Sequence, residues 1–205
     1  MKDTDLEFKR LLEAAVAFHG HLCGGQIIGV KMAMAGLREI GIADPKGKDR
    51  KDFLVFVEID RCAADAILTV TGCRPGRRTL KILDYGKMAA TFVSLKSGRA
   101  VRVSVTPASR RQVEQLSAEL TPTHGPKNAY CEALLRIAER ELLEIREVFV
   151  ELKPEDIPGS PVSVIACEEC GEEVLDLREV VRNGRTLCKP CAGQGSYYRL
   201  TKEAG

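Results

Sequence analysis

The chain has no tryptophan, only 3 histidines, and aromatic residues at just 5%. No uninterrupted apolar run approaches the ~18 residues of a membrane span, so no membrane role is expected. The opening residues, MKDTDLEFKR, have no apolar core of the secretory kind, which points to a cytoplasmic protein. Charge of one sign is not in excess either. Lys and Arg total 31 against 29 Asp and Glu, a formal +2, which argues against nonspecific nucleic-acid binding. Cysteine, by contrast, is plentiful, at 8 in 205 residues. A chain this long with 44% apolar residues holds a core without disulfide staples. Eight cysteines in a cytosolic chain therefore point to metal or thiol chemistry.

Periodicity predicts helices over 5–18 and 26–40 on either side of the segment HGHLCGG. Asp3, Thr4 or Asp5 can cap the first, and Gly20 can stop it. FLVFVEID, residues 53–60, reads as a buried strand, and a helix from Cys62 to Val70 follows, with Gly72 as terminator. Strands are expected over 79–83, 89–95 and 100–105, with a hairpin turn at 96–99. Thr106 and Pro107 start a helix to about Leu120, and a further helix is expected over 129–145, with a last strand at 148–152. The Pro-rich stretch KPEDIPGSP, residues 153–161, reads as a linker. The expected architecture is an α+β core, residues 1–152, with a mixed or antiparallel sheet packed with helices, plus a small module over 162–205.

In that module Cys167-x2-Cys170 and Cys188-x2-Cys191 are two knuckles separated by 17 residues. A tetrahedral zinc ion needs four donors, and this spacing supplies four thiolates in a zinc ribbon or treble clef. Asn183-Gly184 makes a hairpin that returns the chain to the metal. The module is too small for a sizeable core, so the metal supplies much of its folding free energy. Its bases, Arg178, Arg182, Arg185, Lys189 and Arg199, are offset by Glu168, Glu169, Glu172, Glu173, Asp176 and Glu179. Stabilisation, or docking of a protein partner, is favoured over nucleic acid.

The second cluster is His19, His21 and Cys23, interleaved with glycines that leave the backbone free to fold around an ion. Cys23 and Cys62 each sit at a predicted helix start, where the dipole favours a thiolate. Two thiolates with one or two imidazoles make a set for zinc or another transition metal, with an open position. A straight helix from Cys62 to Cys73 would separate its ends by about 16 Å, too far for one mononuclear ion. Cys73 therefore swings back after Gly72, acts alone, or reaches a partner subunit. Arg74, Arg77 and Arg78 beside it could hold an anion or merely form a charged turn. Asp60 and Asp65 are candidate acceptors for the histidines, whereas His124 and Cys131 read as structural.

FHGHLCGGQIIGVKMA, then EIDRCAADAILTVTGCRPGRRTL, then DYGKMAATF, taken in order, resemble the FmdE family. That family is named for the FmdE component of formylmethanofuran dehydrogenase, and the resemblance covers residues 8–150. It implies an α+β core with a His/Cys cluster, to which some members append a zinc-binding module. His19, His21, Cys23, Cys62 and Cys73 match the family's polar motifs, while Gly24 stands where the family has Pro. The name implies the molybdenum or tungsten enzyme that reduces carbon dioxide onto methanofuran. This chain has neither a pterin-cofactor fold nor a CxxCxxC array, so a catalytic subunit is excluded, which leaves an accessory or an independent role.

The leading expectation is thus a metal-binding protein linked to one-carbon or redox metabolism, associated with that oxidoreductase and self-associating as a homodimer. A metal at His19, His21, Cys23 and Cys62 could activate water or polarise a carbonyl. One alternative is thiol redox chemistry with Cys23, Cys62 and Cys73 as catalytic thiolates. Another is an adaptor or regulator that docks a protein or nucleic acid through its zinc finger.

Overall fold

Alternation and β-branching place FLVFV in β1 (Phe53–Val57), where four of five residues are buried. The computed structural model describes residues 2–198, so Arg199 lies outside the described residues. The chain divides into two units, Met1–Glu151 and Leu152–Gly205. In the first, α1 (Lys2–His19), α2 (Gly24–Glu39), β1 and α3 (Cys62–Thr71) precede β2 (Leu80–Ile82), β3 (Ala89–Ser94) and β4 (Ala100–Val105). After them come α4 (Pro107–His124), α5 (Pro126–Arg136), α6 (Glu139–Leu142) and β5 (Leu143–Val148). The strand order is β2-β1-β3-β4-β5, with only the β1–β2 pair parallel. This is the expected α+β arrangement.

Helix α2 lies between the sheet and the other helices, and its long run of buried residues reflects that position. Ile27 and Met32 are fully buried with Phe53 and Phe92. A Cβ at Gly36 would run into the Phe92 ring, so glycine lets the helix settle onto β3. Lys31 is also buried, and its Nζ donates to the Leu134 and Ile137 carbonyls at 2.7 Å each. This ties α2 to the last turn of α5, where unpaired carbonyls attract a cation.

Three expectations needed correction. The predicted cap residues Asp3, Thr4 and Asp5 all lie inside α1, which begins at Lys2. The helix expected to end at about Leu120 runs on through the TPTH segment to His124, with Pro122 inside it. The predicted 129–145 helix breaks after Arg136, and Leu143–Val148 becomes the edge strand β5 in place of 148–152. There Leu143 and Ile145 pair with Val105 and Val103, so cross-strand partners override the helical spacing. The Thr106 cap formed as expected, its side chain accepting from the Ser109 N–H at 3.1 Å.

In the second unit, β6 (Val164–Ala166) pairs with β7 (Glu173–Leu175), and β8 (Val180–Arg182) with β9 (Arg185–Leu187). Asn183 and Gly184 take φ of 53° and 76°, the turn that matches the twist of a two-residue hairpin. Cys167, Leu187 and Ala192 are its small buried core.

Candidate metal centres

The core centre forms where three helix ends meet. Gly20, at φ 96°, ends α1 and leaves His19 at its C-terminus. Cys23 occupies the N-cap of α2 in extended backbone, and Cys62 is the first residue of α3. A ring nitrogen of His19 and the sulfurs of Cys23 and Cys62 lie within 4.8 Å of one another. Gly25 makes this approach possible, because a Cβ there would sit 2.7 Å from the Cys62 Cβ. Gly29 does the same one turn on, against Ala66 at 2.7 Å. Gly24 packs on Tyr130 and Leu134, and neither Gly24 nor Gly25 has a positive φ. These two glycines admit neighbouring helices, a different reason from the loop freedom expected of them.

His19 is oriented by Asp65. Its Nδ1 lies 2.8 Å from the Asp65 Oδ2, and its Nε2 is buried with no hydrogen-bond partner. A carboxylate acceptor assigns the ring proton to Nδ1 and leaves the Nε2 lone pair available. A buried, unpartnered imidazole nitrogen beside two thiols fits a soft or borderline metal ion. Burial pushes the Cys62 thiol up, and the neighbouring Cys23 pushes it further. The helix dipole expected to favour a thiolate is therefore outweighed at Cys62 in the metal-free protein. A divalent cation reverses that balance, since coordination deprotonates a thiol outright.

The other sequence candidates lie elsewhere. His21 is exposed outside the group, its ring 4.7 Å from that of His19. Cys73 is 3% exposed in the hydrophobic core, and burial raises its thiol to about 11. It follows Gly72, in the left-handed conformation, at the far end of α3 from Cys62. Asp65 is the acid that meets a histidine, at His19 Nδ1, and among the described residues no hydrogen bond joins the Asp60 carboxylate to one. His124 is exposed at the end of α4. Cys131 is half-buried, and Cys23 reinforces the burial that raises its thiol. Sequence reasoning missed Gln26, which is fully buried and donates from Nε2 to the Cys62 carbonyl at 2.6 Å. Its Oε1 has no partner. A glutamine on an otherwise apolar helical stripe is the signal that could have found it.

The second centre is complete. The sulfurs of Cys167, Cys170, Cys188 and Cys191 lie within 4.8 Å of one another, with Cys170 and Cys188 at 3.9 Å. Four thiolates around zinc at 2.3 Å place sulfurs about 3.8 Å apart, so the set fits that ion. The Cys188 N–H points at the Cys167 sulfur at 3.2 Å, and the Cys191 N–H at the Cys188 sulfur at 3.5 Å. Backbone N–H groups of Cys170 and Cys188 lower the Cys167 thiol to about 6.

The family model for FmdE, described as molybdenum formylmethanofuran dehydrogenase operon, matches residues 18–155, more than half of the chain. The chain belongs to the FmdE family. A second model, the prokaryotic dksA/traR C4-type zinc finger, matches residues 161–194, which contain all four cysteines of the second centre. A curated protein of Archaeoglobus fulgidus, named a probable S-adenosyl-L-methionine-binding protein, is 33% identical over 210 residues and 93% of this chain. The chain spans only 54% of that relative's length. Among solved structures, an FmdE-like protein of the tungsten formylmethanofuran dehydrogenase type, from Syntrophus aciditrophicus, is similar with a TM-score of 0.60. It is 24% identical, covering 94% of this chain and 95% of its own, a likeness of fold.

The FmdE domain thus carries the His19, Cys23 and Cys62 group, and the appended zinc finger carries its own four thiolates. A closed four-thiolate set has no open position for a substrate, so any metal chemistry falls to the three-residue group. Three protein donors leave room for a further ligand. Among the described residues, no helix is long and apolar enough to cross a membrane.

Proposed function

We propose that this FmdE-family protein binds a divalent transition metal, zinc or a neighbour in the series, through His19 Nε2, Cys23 Sγ and Cys62 Sγ, with a coordination position open to an exogenous ligand. The observation that carries this reading is the buried, unpartnered Nε2 of His19, held by Asp65 within reach of two thiols. When bound, such a metal acts as a Lewis acid toward a carbonyl or water. The chain's own part is to hold three donors, keep the His19 proton on Nδ1, and shelter Nε2 from solvent. Cobalt(II) substitution tests this reading. A second cobalt beyond the zinc-finger ion, with bands that shift on adding a small anionic ligand, supports an open site; no second cobalt refutes it.

The biological setting we propose is that of an accessory subunit to a molybdenum or tungsten formylmethanofuran dehydrogenase, a role in one-carbon metabolism supported by the family model alone. Its self-association and a protein partner at the zinc finger belong to the same reading. Co-migration of the purified chain with a purified enzyme of that class on size exclusion tests it, and separate elution counts against it. The thiol-redox reading loses Cys73, whose buried thiol stays protonated near neutral pH.

A further inference from the structure

Along α3, one turn beyond Asp65, Thr69 lines a cavity of about 310 Å³ that the metal centre does not use. Four cations, Lys46, Arg50, Arg74 and Arg77, line the same cavity, and no carboxylate does. They come from two segments, the loop after α2 and the turn after α3. At the junction, Gly72 takes φ 71°, and a Cβ there would meet the Lys46 chain at 3.0 Å. None of the four is ion-paired among the described residues, although Arg50 donates to the Gly47 carbonyl at 3.1 Å. The nearest loop acids are occupied: Asp44 accepts the Gly47 and Lys48 N–H groups, and Asp49 those of Ala43 and Asp44. Arg10 of α1 adds a fifth positive charge close to Lys46.

Converging unpaired cations repel one another and cost free energy unless an anion joins them. Burial and Arg10 already hold the Lys46 ammonium below its ordinary range. Guanidinium forks match the oxygens of a phosphoryl group two at a time, and an ammonium supplies a point charge. The volume lies at the lower end of the range for small-molecule pockets, roughly 300 Å³ and above. Phe18, half-exposed at the rim, offers an apolar face to the rest of such a ligand.

We propose that this cavity binds the phosphoryl group of a small phosphate monoester, through Arg74, Arg77 and Lys46, independently of the core metal. Isothermal titration of the metal-loaded full chain with phenyl phosphate tests this, with benzoate as the carboxylate control on the same ring. Saturable binding of phenyl phosphate, and much weaker binding of benzoate, is expected. Arg74→Ala/Arg77→Ala should weaken it about tenfold or more, since each removes charge-assisted hydrogen bonds. Cys23→Ser/Cys62→Ser should leave it intact, which separates this site from the metal centre. No saturable binding, equal binding of benzoate, or an unchanged affinity in Arg74→Ala/Arg77→Ala would overturn the proposal.

Discussion

His19 and Asp65, 46 residues apart, meet through a 2.8 Å contact between Nδ1 and a carboxylate oxygen. The contact joins the C-terminus of α1 to the first turn of α3 and holds a ring whose Nε2 is buried without a hydrogen-bond partner. Asp65→Ala removes the acceptor, so the ring can rotate and change tautomer. Core metal affinity should fall by about 10- to 100-fold, the usual cost of losing such a partner. Competition with a chelator measures it, and zinc-finger occupancy should not change.

Gly25→Ala places a Cβ 2.7 Å from that of Cys62. The neighbour is the root of a side chain, so the helices must separate rather than a flexible tip move aside. The expected cost is about 1–3 kcal/mol in denaturant unfolding, with a loss of core metal affinity beyond that of Gly41→Ala. Gly41, at φ 74° with open space around it, pays only for its backbone conformation and should leave metal binding alone.

Arg102→Met should destabilise the sheet strongly. The guanidinium holds both oxygens of Glu58 at 2.7 Å, and Glu58 is only 7% exposed. Removing the cation leaves a buried carboxylate unpaired, which costs about 3 kcal/mol. Glu58→Gln in the same background should recover part of that loss, as the charge goes with it. An unfolding series over the two single variants and the double variant gives the coupling.

Cys73 carries a pH signature. Burial raises its thiol from 9.0 to about 11, so the folded chain keeps a proton that the unfolded chain releases. Its contribution to stability is full below about pH 9 and lost as pH rises toward 11. The difference in unfolding free energy between wild type and Cys73→Ala should shrink over that window, by on the order of 2 kcal/mol. Slow alkylation of Cys73 in the native protein at neutral pH follows from the same burial.

How much was legible in the sequence depended on whether a neighbour in sequence or a neighbour in space decided the matter. The zinc finger could be read because all four ligands sit in two short repeats joined by an Asn-Gly turn, and every one of those signals is local. The β3–β4 hairpin and the Thr106 cap were legible for the same reason. Leu143–Val148 was misread because its apolar residues also suit a helix, and only β4 beside it decides for strand. Helix length already set Cys73 apart from Cys62, but its three possible roles were left open, and only the packing around it shows that it lies in the core. Gln26, and the pairing of loop 45–50 with the turn after Gly72, depend on contacts between distant segments that no local pattern encodes.

The proposed metal centre of His19, Cys23 and Cys62 is separate from the zinc finger, and metal content per chain tests that separation most directly. Mass spectrometry on the purified chain should find two bound ions per chain, one for each cysteine group. The count should fall to one in Cys23→Ala/Cys62→Ala, with the zinc finger still loaded. A single ion per chain, unchanged by that double variant, would contradict the two-centre reading.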